Sequence, residues 1–182
     1  MMKKIFSVSS LLIMLLLTSF KHHDWKEYTP EHGKCAVLMP GQPTIEEKIV
    51  HTELGEIKLN IFMYQPARNS DDNLIYSMSY ADYPEGSSIH SDSTEILKDF
   101  FNKSRDGAIA NIQGKLLSET SESIQGYPGR EQRIAVKNGL AIVRFRSFLV
   151  KNRFYNLQVI TPAANNFNKS INRFMNSFKL LE

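Results

Sequence analysis

The dipeptide Asn138-Gly139 constrains the fold of this chain more than any other pair of residues. Asn-Gly favours the left-handed backbone that a two-residue hairpin turn requires. Here it separates two runs rich in strand formers, REQRIAVK and LAIVRFRSFLV. Such a turn sets the register outright: Lys137 lies opposite Leu140, Ala135 opposite Ile142, Arg133 opposite Arg144 and Glu131 opposite Arg146. Ile134, Val136, Val143 and Phe145 then share one face, which this reading assigns to the main core. The other face carries Arg133, Arg144 and Arg146 beside Ile142 and Phe148, so a helix is expected to cover half of it and leave an open polar end.

Similar signals extend the sheet. CAVLM, from Cys35 to Met39, is an apolar run stopped by PGQP, whose prolines cannot continue a central ladder. EEKIVHTELGEIKLNIFMYQP reads as two extended runs around Glu53 to Gly55, and LIYSMSYADYP as a third. GKLLSETSESI precedes REQRIAVK, and Lys151-Asn152 turns the chain into RFYNLQVITP. The period changes at Ser91, where Ile96, Leu97, Phe100, Phe101 and Ala108 recur at helical spacing. A helix from about Ser93 to about Ala110 is predicted, with Asp92 and Glu95 offering a capping-box-like start. A closing helix from about Asn165 presents Phe167, Ile171, Phe174, Met175 and Phe178 on one face. Hairpins with one helix in the middle and one at the end predict an α+β domain, a mostly antiparallel sheet with two main helices.

The first residues, MMKKIFSVSSLLIMLLLTSF, have the layout of a secretory signal over residues 1–20: Lys3 and Lys4, a short apolar centre, then small residues. That centre is shorter than the roughly 20 apolar residues a spanning helix needs. The expectation is an exported protein, periplasmic or extracellular, with no stable membrane span after cleavage and a single domain over residues 25–182. Cys35 is the sole cysteine, so no disulfide within the chain can staple the fold. Without Lys3 and Lys4 the 22 basic residues become 20, against 19 acidic ones. That balance argues against nucleic acid as a partner.

Trp25 near the start of the domain, the strand running into MPGQP, the GYPGRE segment and the late NRFYNLQV strand together resemble a group of uncharacterised secreted bacterial proteins. Their fold is similar to PsbP, the extrinsic photosystem II protein, an α/β/α sandwich around an antiparallel sheet. The resemblance covers nearly the whole mature chain and implies that sandwich. PsbP itself helps retain calcium and chloride at a photosynthetic centre; no residue here carries that role across, because fold alone does not transfer function.

GYPGRE, from Gly126 to Glu131, reads as a structural corner, a type II turn with Pro128 and Gly129 at its centre. Its tail opens the strand leading to the arginine face. Arg133, Arg144 and Arg146 form a candidate anion site, since guanidinium groups grip carboxylate or phosphate in two-pronged fashion. The plainer alternative is a solvated face whose arginines pair with Glu119, Glu122 or Glu131. Cleavage after Ser19 or Phe20 would place His22 or His23 third from a free amine, an arrangement that wraps Cu²⁺ or Ni²⁺; the alternative is a polar segment after the cut. His32, His51 and His90 lie in separate segments without metal-ligand spacing. Cys35 reads as a small buried hydrophobe, with a dyad to His51 or His90 as the catalytic alternative. Tyr76, Tyr80 and Tyr83 either line a pocket or pack in the core.

No cofactor is expected. The sequence points to an exported, non-enzymatic binding, accessory or interaction module of the cell envelope, its partner a small anion or an envelope protein. The rival is a hydrolase-type enzyme using a polar pocket at one end of the sheet. A deep pocket with converging ionisable groups favours the enzyme, and a shallow groove favours the module.

Overall fold

The Asn138-Gly139 turn forms in the left-handed conformation, with Asn138 at φ 55°, ψ 34° and Gly139 at φ 85°. Its register matches the expectation: Ala135 faces Ile142, Arg133 faces Arg144 and Glu131 faces Arg146. The ladder stops one step early, at Val136 opposite Ala141, because Lys137 and Leu140 leave the extended conformation.

The computed structural model describes residues 24–52 and 55–181. The expected signal, with His22 and His23, lies outside them. Along the chain run β1 (Lys26–Tyr28), β2 (Cys35–Met39), β3 (Thr44–Thr52), β4 (Gly55–Tyr64), β5 (Ile75–Asp82), α1 (Thr94–Ile112), β6 (Lys115–Ile124), β7 (Tyr127–Val136), β8 (Ala141–Val150), β9 (Arg153–Pro162), α2 (Lys169–Asn176) and β10 (Lys179–Leu180). A seven-stranded antiparallel sheet has the order β3-β4-β5-β9-β8-β7-β6, and β1-β2-β10 make a small second sheet. The α+β class and the two main helices stand as predicted. β1 and β10 are too short to leave a periodic signal.

α1 lies on one face of the large sheet. Its Ala108, Ile109 and Ile112 pack over Ile134, Val136, Val143 and Phe145, and its Phe100 and Phe101 meet Leu149. α2 and the small sheet cover the other face, where Tyr76, Met78, Tyr155, Leu157 and Val159 join Val37, Ile171 and Phe174 in the largest apolar cluster. The main core is therefore on the arginine side, not on the Ile134 side as the hairpin suggested. A hairpin register tells which residues share a face. It does not tell how much bulk the next three strands add to each.

Three further expectations change. The turn near GYPGRE is at Gln125-Gly126, both at positive φ, and Ile124 opposite Tyr127 closes it. Pro128 and Gly129 belong to β7. Gly129 is there for close approach: a Cβ would sit 2.5 Å from Ser147 O and from Phe148 Cδ1, so the ring of Phe148 occupies the space a side chain would need. The closing helix starts at Lys169, capped by Asn168, whose side chain accepts from Ile171 N at 3.1 Å. Phe167 precedes that cap and is 71% exposed, so it is not part of the core face. At α1, Ser93 holds the N-cap position without a side-chain hydrogen bond; the Glu95 side chain lies outside what is described.

Candidate functional site

Alternation along β7 and β8 turns Glu131, Arg133, Arg144 and Arg146 to the α2 side, where two like charges face each other across the strands. Glu131 resolves much of that conflict. Arg144 Nη2 donates to its Oε1, and Arg146 Nε donates to its Oε2 at 2.7 Å. The pairing with Glu131 is the one the plainer alternative expected, but the face is largely covered and not solvated: Arg144 is 8% exposed, and Glu131 and Arg146 are half-buried. Burial opposes the Glu131 charge, but the hydrogen bonds and charges of Arg144 and Arg146 outweigh it and hold the carboxyl below the usual carboxylate range.

The same arginines reach α2. Arg146 Nη1 donates to Met175 O at 3.1 Å and to Asn176 Oδ1 at 2.8 Å, and Arg144 Nη1 to Asn172 Oδ1 at 3.3 Å. A cation on the last carbonyls of a helix satisfies orphan acceptors and complements its dipole. Arg133 donates to Asn166 Oδ1 at 2.5 Å and lies 4.5 Å from the centre of the Phe167 ring. The structure thus brings the three predicted arginines together under the terminal helix. The Nε atoms of Arg133 and Arg144 are buried with no hydrogen-bond partner among the described residues.

Elsewhere the candidates separate. Cys35 is fully buried in β2, and burial pushes its thiol up to about 12, with the charge of Arg153 acting the other way. It is a core residue and not an activated nucleophile. His51 meets Glu56 on the exposed β3–β4 hairpin and His90 meets Asp92 before α1, each at 3.4 Å. Among the described residues no group of three or more His, Cys, Asp or Glu is placed to hold a metal ion. Tyr76 and Tyr80 share a face as expected and are buried in the core, while Tyr83 packs edge-on against Phe100 on the α1 side.

One feature escaped sequence reading. Where α1 ends, it leaves part of the sheet uncovered, and a cleft of about 920 Å³ opens there against the loop formed by residues 65–74. Ile112, Val136, Val143 and Ile160 floor it, and Arg68, Asp71 and Lys137 border it. The loop is held from beneath. Asp71 Oδ1 accepts from Asn73 N at 2.8 Å and from Tyr76 Oη at 3.0 Å. Asn73 in turn donates to Asn168 Oδ1 at 3.2 Å and accepts from Asn168 Nδ2 at 2.8 Å, which ties the loop to the cap of α2. The available signal was the mismatch between one predicted helix and the wider apolar face it had to cover.

No protein-family profile and no curated protein matches this chain. Among solved structures, the solution structure of cyanobacterial PsbP (CyanoP) from Synechocystis sp. PCC 6803 superposes at a TM-score of 0.55. The match covers 89% of this chain and 95% of that one. The fold is PsbP-like. Identity with CyanoP is 12%, so the likeness is one of architecture. A Pseudomonas aeruginosa protein of unknown function aligns over 78% of this chain and 85% of its own, at 11% identity and a TM-score of 0.34. Within the PsbP-like sandwich, the arginine cluster lies beneath α2 and the cleft opens on the opposite, α1 face.

Proposed function

We propose that this protein is an exported, non-enzymatic binding or accessory module of the cell envelope, and that the cleft beside residues 65–74 is its binding surface. The cleft carries the reading: its floor is apolar, and its bordering carboxylate Asp71 accepts from Asn73 and Tyr76, which tie it into the loop. The PsbP-like fold is compatible with an accessory role by analogy alone.

Fractionation of a bacterial host expressing the full chain tests export. The expected product is found outside the cytoplasm with its amino terminus after residue 19 or 20; full-length protein held in the cytoplasm overturns this. Titration with 8-anilinonaphthalene-1-sulfonate tests the cleft. The dye is expected to bind the folded protein, and Ile112→Glu, at a half-buried position, to weaken binding about tenfold by placing a charge on the apolar floor. Binding unchanged by that substitution removes the cleft as the site.

The two unpartnered Nε atoms favour a second reading, an anion site at Arg133, Arg144 and Arg146. Millimolar phosphate, sulfate or a small carboxylate is expected to raise the melting temperature of the native chain and not of Arg133→Gln. Equal curves for the two proteins reject it.

A further inference from the structure

The large sheet ends on two edges that differ. β6 is interrupted by a register shift between Leu116 and Ser118, the kind of bulge that bends an edge away from further pairing. β3 is not interrupted: Thr44 to Thr52 pair with Met63 to Gly55 without a shift, and every residue of β3 is exposed. Ile45 and Ile49, on the α2 face, are 63% and 57% exposed. A long, regular edge with exposed β-branched residues is a template for another strand.

The charges on β3 select that strand. A lysine in mid-edge ordinarily repels an added strand, but the run Ile45-Glu46-Glu47-Lys48-Ile49 complements itself about Glu47. Antiparallel pairing of two β3 strands around a two-fold axis at Glu47 sets Ile45 opposite the partner's Ile49 and Glu46 opposite the partner's Lys48. Both pairs occur twice. Paired positions are then both odd or both even, so the alternate residues that turn N–H and C=O outward meet each other. Glu47 faces its own copy, yet each Glu47 already holds Lys58 Nζ at 2.7 Å, so two lysines flank the axis. Moving the axis to Lys48 or Glu46 sets like charges together and breaks both isoleucine pairs. We infer that two copies of this chain associate through β3, joining their seven-stranded sheets into one.

Sedimentation of the signal-cleaved protein over a concentration series tests this. A reversible monomer–dimer equilibrium is expected. Glu46→Lys and Lys48→Glu should each weaken it about tenfold or more, and the double exchange should restore it, because opposite charges again face each other. All these positions are exposed, so unchanged melting of a variant diluted to monomer shows that it still folds. Glu47→Cys supplies an independent readout. Directly opposed Cα atoms of a hydrogen-bonded pair lie about 5.5 Å apart, within disulfide reach, so this variant should form a covalent dimer on oxidation while Lys48→Cys does not. A protein that is monomeric throughout, or a dimer indifferent to the charge reversals, overturns the inference.

Discussion

Replacing Glu131 with Ala is expected to destabilise the fold by about 3–5 kcal/mol, read from urea denaturation, because it leaves Arg144 and Arg146 buried without their counter-charge. Glu131→Gln keeps the side chain's shape and part of its hydrogen bonding while losing the charge, so it should fall between the two. The pH dependence has a definite sign. The folded carboxyl titrates below its unfolded value, so its contribution is complete above the unfolded carboxylate range, about pH 4–5, and is lost as pH falls through the lower, folded value. Arg144 and Arg146 stay charged throughout that window and contribute no slope of their own. A Glu131→Ala protein should therefore show a shallower loss of stability in acid than the native chain. A cost below about 1 kcal/mol, the size of an exposed pair, would show that the cluster is solvated and does not hold α2.

Phe174→Ala is expected to cost about 3–5 kcal/mol as well, through a different mechanism: lost transfer energy plus an incompletely filled cavity. Phe174 is fully buried on α2 and meets Tyr76 edge-on at 5.5 Å between ring centres. α2 is short, and its stability comes from this apolar face and from the arginines beneath it. The two substitutions loosen the same short stretch of helix, because Arg144 and Arg146 reach Asn172, Met175 and Asn176 on either side of Phe174. Their combined effect should fall short of the sum, and a double-mutant cycle measures by how much. Full additivity would mean that the helix does not release as a unit.

The long hairpins were legible because local chemistry specifies them. Asn138-Gly139 demands a left-handed turn, and period-two alternation from it sets Glu131 opposite Arg146, as the ladder has them. GYPGRE misleads for an equally local reason: Pro-Gly has the stronger turn preference, but the turn is made three residues earlier by Gln125, a residue with no marked liking for positive φ, with Gly126, and Gly129 is used for proximity to Phe148. Phe167 matched the helical spacing of Ile171 and Phe174 but fell on the wrong side of the Asn168 cap. The partition of the core between two faces, and the cleft, depend on segments far apart in the chain. No window of sequence contains both Ile112 and Ile160 with the loop that closes over them.

The layer over the arginine face is assembled from both ends of the described chain. Ala36 pairs with Lys179, and Leu38 N donates to Ser177 Oγ at 2.8 Å, across a separation of 139 residues. Contacts of such separation form late and slowly, because the intervening chain must be ordered before its ends can meet. Until Phe174, Met175 and Phe178 arrive, the broadest apolar surface of the sheet has only the part of its cover that β1 and β2 supply. Folding of that face thus waits on the docking of α2 and β10 against β2 and the large sheet. The placement of α2 and β10 therefore acts on timing as well as on stability.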